Sequence, residues 1–210
     1  NRNTAYNPFT IEGKKTAALE IWEQLGCIAP DWVIVPTGDG AILAGIEKGF
    51  SDLMAMGLID KLPRLAAIQA EGCQPIVRAF EKGNKKIISE KNPKTIADSI
   101  SVGVPRAGSW VMQALERTHG MAIAVSDEEI LDSISFLGNH EGVFVEPAAA
   151  TSIAGLRKLV LNDTITHDEK VVVLVTGNGL KDIPAASKSI EIPNAIEPSI
   201  GAVEKFIRAC

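Results

Sequence analysis

The stretch Asp31–Phe50, DWVIVPTGDGAILAGIEKGF, constrains the fold more than any other part of the chain. Trp32 to Val35, closed by Pro36, predict a buried strand over 32–36. Thr37-Gly38-Asp39-Gly40 then read as a turn, and the alanine-, isoleucine- and leucine-rich segment after it predicts a helix over 41–57, ending near Gly57. Strand, glycine turn and helix in this order form an anion site. The free N–H groups of the turn and first helical turn point outward, and the helix dipole favours negative charge. A phosphate is the guest this arrangement suits.

The same alternation runs through the whole chain and indicates the α/β class. Residues 14–26 predict a helix closed by Gly26. RLAAIQAEG (64–72) reads as a second buried strand running into a glycine turn, followed by a helix over about 74–82. Residues 83–105 are loop-rich, with KKIIS as a short strand and PKTIADSI as a short helix. A helix over 107–118 and a strand over 121–125 follow. Ser126 and Glu129 form a capping box that opens a helix to about Leu137. A short strand in GVFVE leads to Pro147, which starts a helix to about Leu161. KVVVLVTGNGLKD carries a strand over 171–175 and another glycine turn, and a helix over 199–208 closes the pattern.

Strands this apolar, separated by helices, belong in a mainly parallel sheet with helices on both faces, a three-layer arrangement. Right-handed crossovers would bring the turns TGDG, AEG and TGNG to one carboxyl edge, where ligands of open α/β sheets bind.

Composition narrows the function. The chain has 210 residues and a net charge of −5, which argues against a nucleic-acid surface or a basic membrane patch. No apolar run is long enough to span a bilayer. Cys27, Cys73 and Cys210 are scattered and form no CxxC pair, pointing to a reducing compartment such as the cytoplasm. His119, His140 and His167 are equally scattered, so no metal-ligand spacing exists. The opening, NRNTAYNPFT, reads as the middle of a domain.

Known phosphate motifs can be tested against the turn. A P-loop needs Gly-Lys-Ser/Thr after its glycines, and here Ala41-Ile42 follow. A dinucleotide fingerprint needs a third glycine where Leu43 stands, and no acidic ribose partner follows at the right strand end. A single phosphate monoester suits the turn better.

NPFTIEGKKTAALEI, VPTGDGAILAGIEKGF, RLAAIQAEG, VSDEEI, EGVFVEPAAATSIAGL and VVVLVTGNGLKD occur in an order and context that resembles threonine synthase and its close relatives. These are pyridoxal-phosphate enzymes of the tryptophan synthase β-like fold. The resemblance covers nearly all of 1–210 and implies the C-terminal, large-domain portion of such an enzyme. It implies that Gly38, Asp39, Gly40, Ala41 and Ile42 grip the cofactor phosphate, and that Thr176 faces the pyridine nitrogen. A neutral hydroxyl there leaves the ring less electrophilic than a carboxylate would, which suits elimination and replacement at β or γ carbons. The family's Schiff-base lysine is expected upstream. Lys14, Lys15, Lys181 and Lys188 lie outside its context, so none is assigned and the chain alone is expected to be inactive. The resemblance further implies an amino-acid substrate and a homodimer for the full-length protein.

Two departures bear on the substrate. Thr10 stands where threonine synthases carry an arginine suited to clamping a substrate phosphate. Arg2 and Arg106 are the cations nearest in sequence that could substitute. Asp39 stands where asparagine is common, and its side chain must turn away from a phosphate, for instance to cap the next helix. Three alternatives to the threonine-synthase reading stay open: an ammonia lyase or thiolase β subunit of the same family, a ligand-binding domain without chemistry, and nucleotide-dependent oxidoreduction.

Overall fold

The computed structural model describes residues 4–84, 86–190 and 195–209. The first helical segment starts earlier than expected and is broken in two, α1 (Pro8–Lys14) and α2 (Thr16–Gln24). Asn7 starts α1 by accepting a hydrogen bond from the Phe9 N–H at 3.1 Å, with Pro8 in the first turn. Gly26, at φ +74°, stands just past the end of α2, as its position in the sequence predicts.

Then come β1 (Trp32–Pro36), α3 (Ala41–Ala55), β2 (Arg64–Ala70), α4 (Pro75–Glu81), α5 (Gly108–Arg117), β3 (Met121–Val125), α6 (Asp127–Glu141), α7 (Pro147–Leu161), β4 (Val171–Val173), α8 (Ile183–Ala186) and α9 (Ile200–Ala209). The capping box of α6 forms as read, with Ser126 and Glu129 exchanging hydrogen bonds.

The strands form one parallel sheet in the order β3-β2-β1-β4. Strand alternation sorts the core into two layers. Trp32, Ile34, Ala66 and Ile68 face α6 and α7, packing with Ile130, Ile134, Ala149 and Ile153. Val33, Val35, Leu65 and Ala67 face the opposite layer, where Leu43, Ile46 and Phe50 of α3 join Ile76, Val111 and Leu115. Helices therefore cover both faces, and β1 and β2 are buried along almost their whole length.

Four further expected elements differ. The strand at 171–175 stops at Val173, where the Leu174 carbonyl is taken by the Ser152 hydroxyl at 2.8 Å. KKIIS forms no strand over 86–89, Lys85 lying outside the described residues; the chain after it bonds Gly103 instead, Glu90 N to Gly103 O at 2.8 Å. PKTIADSI shrinks to a single 3-10 turn, Asp98–Ile100, because Asp127 holds the Thr95 hydroxyl at 2.6 Å and the Ile96 N–H at 3.2 Å and keeps that stretch extended. The strand expected in GVFVE reduces to one antiparallel bridge, Val145 to Asn178.

Candidate active site

Because the chain moves outward from β1 through β2 to β3 and then returns to place β4 on the other side, its direction reverses at β1. Such a reversal opens a crevice beyond the carboxyl ends of the two strands. A cavity of about 370 Å³ lies there, lined by Gly38 to Leu43 from the β1 side and by Thr176 and Lys181 from the β4 side. A larger recess of about 670 Å³ sits beside Gly120, at the amino end of β3, away from both strand ends.

The turn is shaped by its surroundings as much as by a guest. Gly40 starts α3 at φ +96°, a left-handed conformation, and a Cβ there would meet Val111 of α5 at 2.4 Å. Gly38 lies against the Ile100 backbone, 2.8 Å from where its Cβ would be. No side chain caps α3, and its first internal hydrogen bond is Ala44 N to Gly40 O at 3.0 Å. The N–H groups of Ala41, Ile42 and Leu43 therefore have no partner within the helix. Unused donors at the positive end of a 15-residue helix, lining a cavity, fit a phosphate.

Asp39 does turn its side chain away, but not onto α3. Its Oδ1 accepts from the Arg106 N–H at 2.7 Å, and its carbonyl accepts from the Ala107 N–H at 3.2 Å, so it anchors the entry to α5. Its Oδ2 is buried without a hydrogen-bond partner.

Two glycine turns out of the expected three meet at the cavity. TGDG and TGNG line it, whereas Gly72 of AEG packs against the Lys94 carbonyl and is closed off. Thr176 lines the cavity from an exposed loop three residues past the end of β4. Among the lysines, Lys14 and Lys181 line it and Lys15 does not. Arg106 stacks on Tyr6 and stays exposed, outside the lining, while Arg2 lies outside the described residues. Thr10 is likewise absent from the lining.

Residues that sequence reading passed over hold the site together. Glu146 has a side chain only 5% exposed, and receives Lys181 Nζ at 3.0 Å and the Ser99 hydroxyl at 3.3 Å. Lys181 also reaches Ser99 Oγ at 2.6 Å. These three side chains separate the cavity from an adjoining one of about 270 Å³. Glu146 further fixes the Thr176 loop, since its N–H donates to the Gly177 carbonyl at 3.1 Å and its carboxylate fills the space over Gly177. On the other side, Gln69 is fully buried: its amide donates to the Thr37 carbonyl at 3.0 Å and accepts from Ile76 and Val77 at the start of α4. A glutamine inside the apolar run LAAIQA is the one signal that could have marked it.

Residues 1–177 match the family described as pyridoxal-phosphate dependent enzyme. The chain belongs to that family. Pyridoxal phosphate is the family's cofactor. The threonine synthase of Methanocaldococcus jannaschii is 45% identical over 202 residues, covering 96% of this chain and 50% of the relative. Among solved structures, a fungal L-serine ammonia-lyase from Rhizomucor miehei has a TM-score of 0.71 at 22% identity, covering 85% of this chain and 55% of that one. A threonine deaminase from T.th. has a TM-score of 0.64 at 25% identity, covering 82% and 57%. The chain spans about half the length of the curated relatives it matches. Among the described residues, no helix is long and apolar enough to cross a membrane, and no group of three His, Cys, Asp or Glu residues is placed to hold a metal.

Proposed function

We propose that this chain is the C-terminal, large-domain portion of a pyridoxal-phosphate enzyme that carries out elimination or replacement on an amino acid, most like threonine synthase. The observation that carries the reading is one cavity bounded by the unsatisfied N–H groups of α3 and by Thr176. Gly38 to Ile42 hold the cofactor phosphate through the backbone. Asp39 stabilises the turn from behind, with Oδ1 committed to Arg106. Pyridoxal phosphate, when bound, supplies an electron sink for carbanion chemistry at the amino-acid carbons.

Thr176 offers the pyridine nitrogen a hydroxyl rather than a charge. Of the two carboxylates that line the cavity among the described residues, Asp39 is turned to the Arg106 N–H and Glu146 is committed to Lys181 and Ser99, which leaves the neutral hydroxyl as the nitrogen's partner. The lysine that anchors the cofactor belongs to an upstream portion, and the full-length protein is a cytoplasmic homodimer acting on a small amino acid. Thr10 in place of a clamp arginine favours a second reading within the family, an ammonia lyase, and the 25% identity to a threonine deaminase is consistent with it.

The full-length protein is expected to absorb near the visible edge, with a band that borohydride removes. Absence of that band would leave a fold without the chemistry. A product assay comparing O-phosphohomoserine with threonine, serine and diaminopropionate separates the two catalytic readings: strong preference for the phosphorylated substrate selects threonine synthase.

A further inference from the structure

Lys14 and Lys15 are neighbours in sequence with opposite surroundings. Lys15 is held by Glu12 at 2.8 Å and Asp52 at 2.9 Å, in a network that Lys48 completes. Lys14 takes no part in it and instead lines the cavity beside Gly38 to Leu43. Gly45 makes this placement possible: a Cβ on it would lie 2.6 Å from the Lys14 Cβ, so the end of α1 can press directly onto α3.

The charges around the cavity show what this lysine is free to do. Lys181 is matched by Glu146 at 3.0 Å. Asp39, just before α3, also belongs to the lining, and its carboxylate adds negative charge that disfavours a dianionic guest. A phosphate bound at α3 therefore gains from a compensating cation, and among the described residues Lys14 is the lysine of the lining that no carboxylate occupies.

We propose that Lys14 is a ligand for a phosphate monoester in the glycine turn, acting as a point charge beside the backbone donors. The proposal rests on reading the cavity as a pyridoxal-phosphate site. Two sources share this chemistry, the cofactor's phosphate and a phosphate on the substrate.

The test uses the full-length protein stripped of cofactor, as wild type, Lys14→Met and Lys14→Arg. Each is titrated with pyridoxal 5′-phosphate and with pyridoxal, which lacks the phosphate, and melting temperatures are taken in parallel. Lys14→Met is expected to weaken pyridoxal 5′-phosphate by about tenfold, the loss expected for one charge-assisted hydrogen bond, to leave pyridoxal unchanged, and to be largely rescued by arginine. Unchanged cofactor affinity, with a KM raised about tenfold for a phosphorylated amino acid but not for its unphosphorylated counterpart, assigns the lysine to the substrate's phosphate. Equal effects on phosphorylated and unphosphorylated ligands, or a lower melting temperature alone, overturn the proposal and leave Lys14 as a helix-end lysine. Failure of the underlying reading is separate, because wild type would then bind neither form of pyridoxal.

Discussion

The two sides of the cavity are built differently. The β1–α3 side, Trp32–Ala55, is a strand with neighbours on both edges and helices on both faces, running into a helix whose inner face is buried. The β4 side is a three-residue strand at the sheet edge, half exposed, followed by a loop held by one bridge and by Glu146. The first side is fixed by packing. The second depends on a few polar contacts, and it carries the one side chain here proposed to face the cofactor ring. On the proposed function, rigidity at the phosphate and adjustability at the ring follow from where the two strands sit in one sheet.

The largest expected effect is on the rigid side. In Gly40→Val a β-branched residue must adopt φ +96°, and its Cβ would lie 2.4 Å from Val111. We expect a loss of about 3–5 kcal/mol of stability and a cofactor affinity lowered at least about a hundredfold. Melting and titration together show whether the damage reaches both. Normal affinity in a folded variant would mean that the turn does not hold the phosphate.

A paired core truncation sharpens the comparison. Ile34 of β1 is fully buried, and Ile34→Ala should cost about 3–4 kcal/mol. Val172 of β4 is only partly buried, and Val172→Ala should cost about 1 kcal/mol. At about 2–4 °C per kcal/mol for a chain of this size, the two melting temperatures should separate clearly. Equal losses would show that β4 is as tightly packed as β1 in the full-length protein, with a further element covering its open edge.

These two strands also show what the sequence made legible. β1 and β3 match their expected bounds residue for residue, and α7 its expected ends, because each is an apolar run with a proline or glycine at one boundary, whether it lies inside the sheet as β1 does or at its edge as β3 does. In β4 the same kind of run, VVVLV, over-predicts the strand. Apolar composition cannot say that Ser152, 22 residues earlier, takes the Leu174 carbonyl. The glycine turn and Thr176 could be read from motif and resemblance, and the cavity brings them together. Ser99, Glu146 and Lys181 are 47 and 35 residues apart in succession, and nothing local in them signals a shared ion pair. Nor does the motif disclose that the missing Cβ of Gly40 makes room for α5.

A milder change probes the adjustable side. Thr176→Val removes a hydroxyl from an exposed loop position, so stability should stay within about 0.5 kcal/mol and cofactor affinity should hold. Turnover of the full-length enzyme should fall about three- to tenfold, the worth of one neutral hydrogen bond. Wild-type kinetics and an unchanged cofactor spectrum would reduce Thr176 to a turn residue and move the search for the ring's partner to Glu146.

The smallest effect concerns how α1 and α2 are fastened to the rigid side. Hydrogen bonds to Glu12 and then Asp52 push the Lys15 pKa up to about 12. Its folded value is above the ordinary 10.5, so its stabilisation is complete below that pH and is lost as pH rises through about 12. The partners act in the opposite sense. Glu12 is lowered chiefly by its bond to Lys15, and Asp52 chiefly by Lys48 and then Lys15. Their contributions are present above the ordinary 4.5 and 3.8 and are lost as pH falls through the lowered values. These groups are largely solvated, so salt should screen the effect. The melting-temperature gap between wild type and Lys15→Met should be level through neutral pH, close between pH 10.5 and about 12, and shrink again in acid. A gap that stays constant across the alkaline window would mean that the network does not hold Lys15 and that α1 is positioned by packing alone, with Ile11 and Gly45 setting where Lys14 meets the cavity.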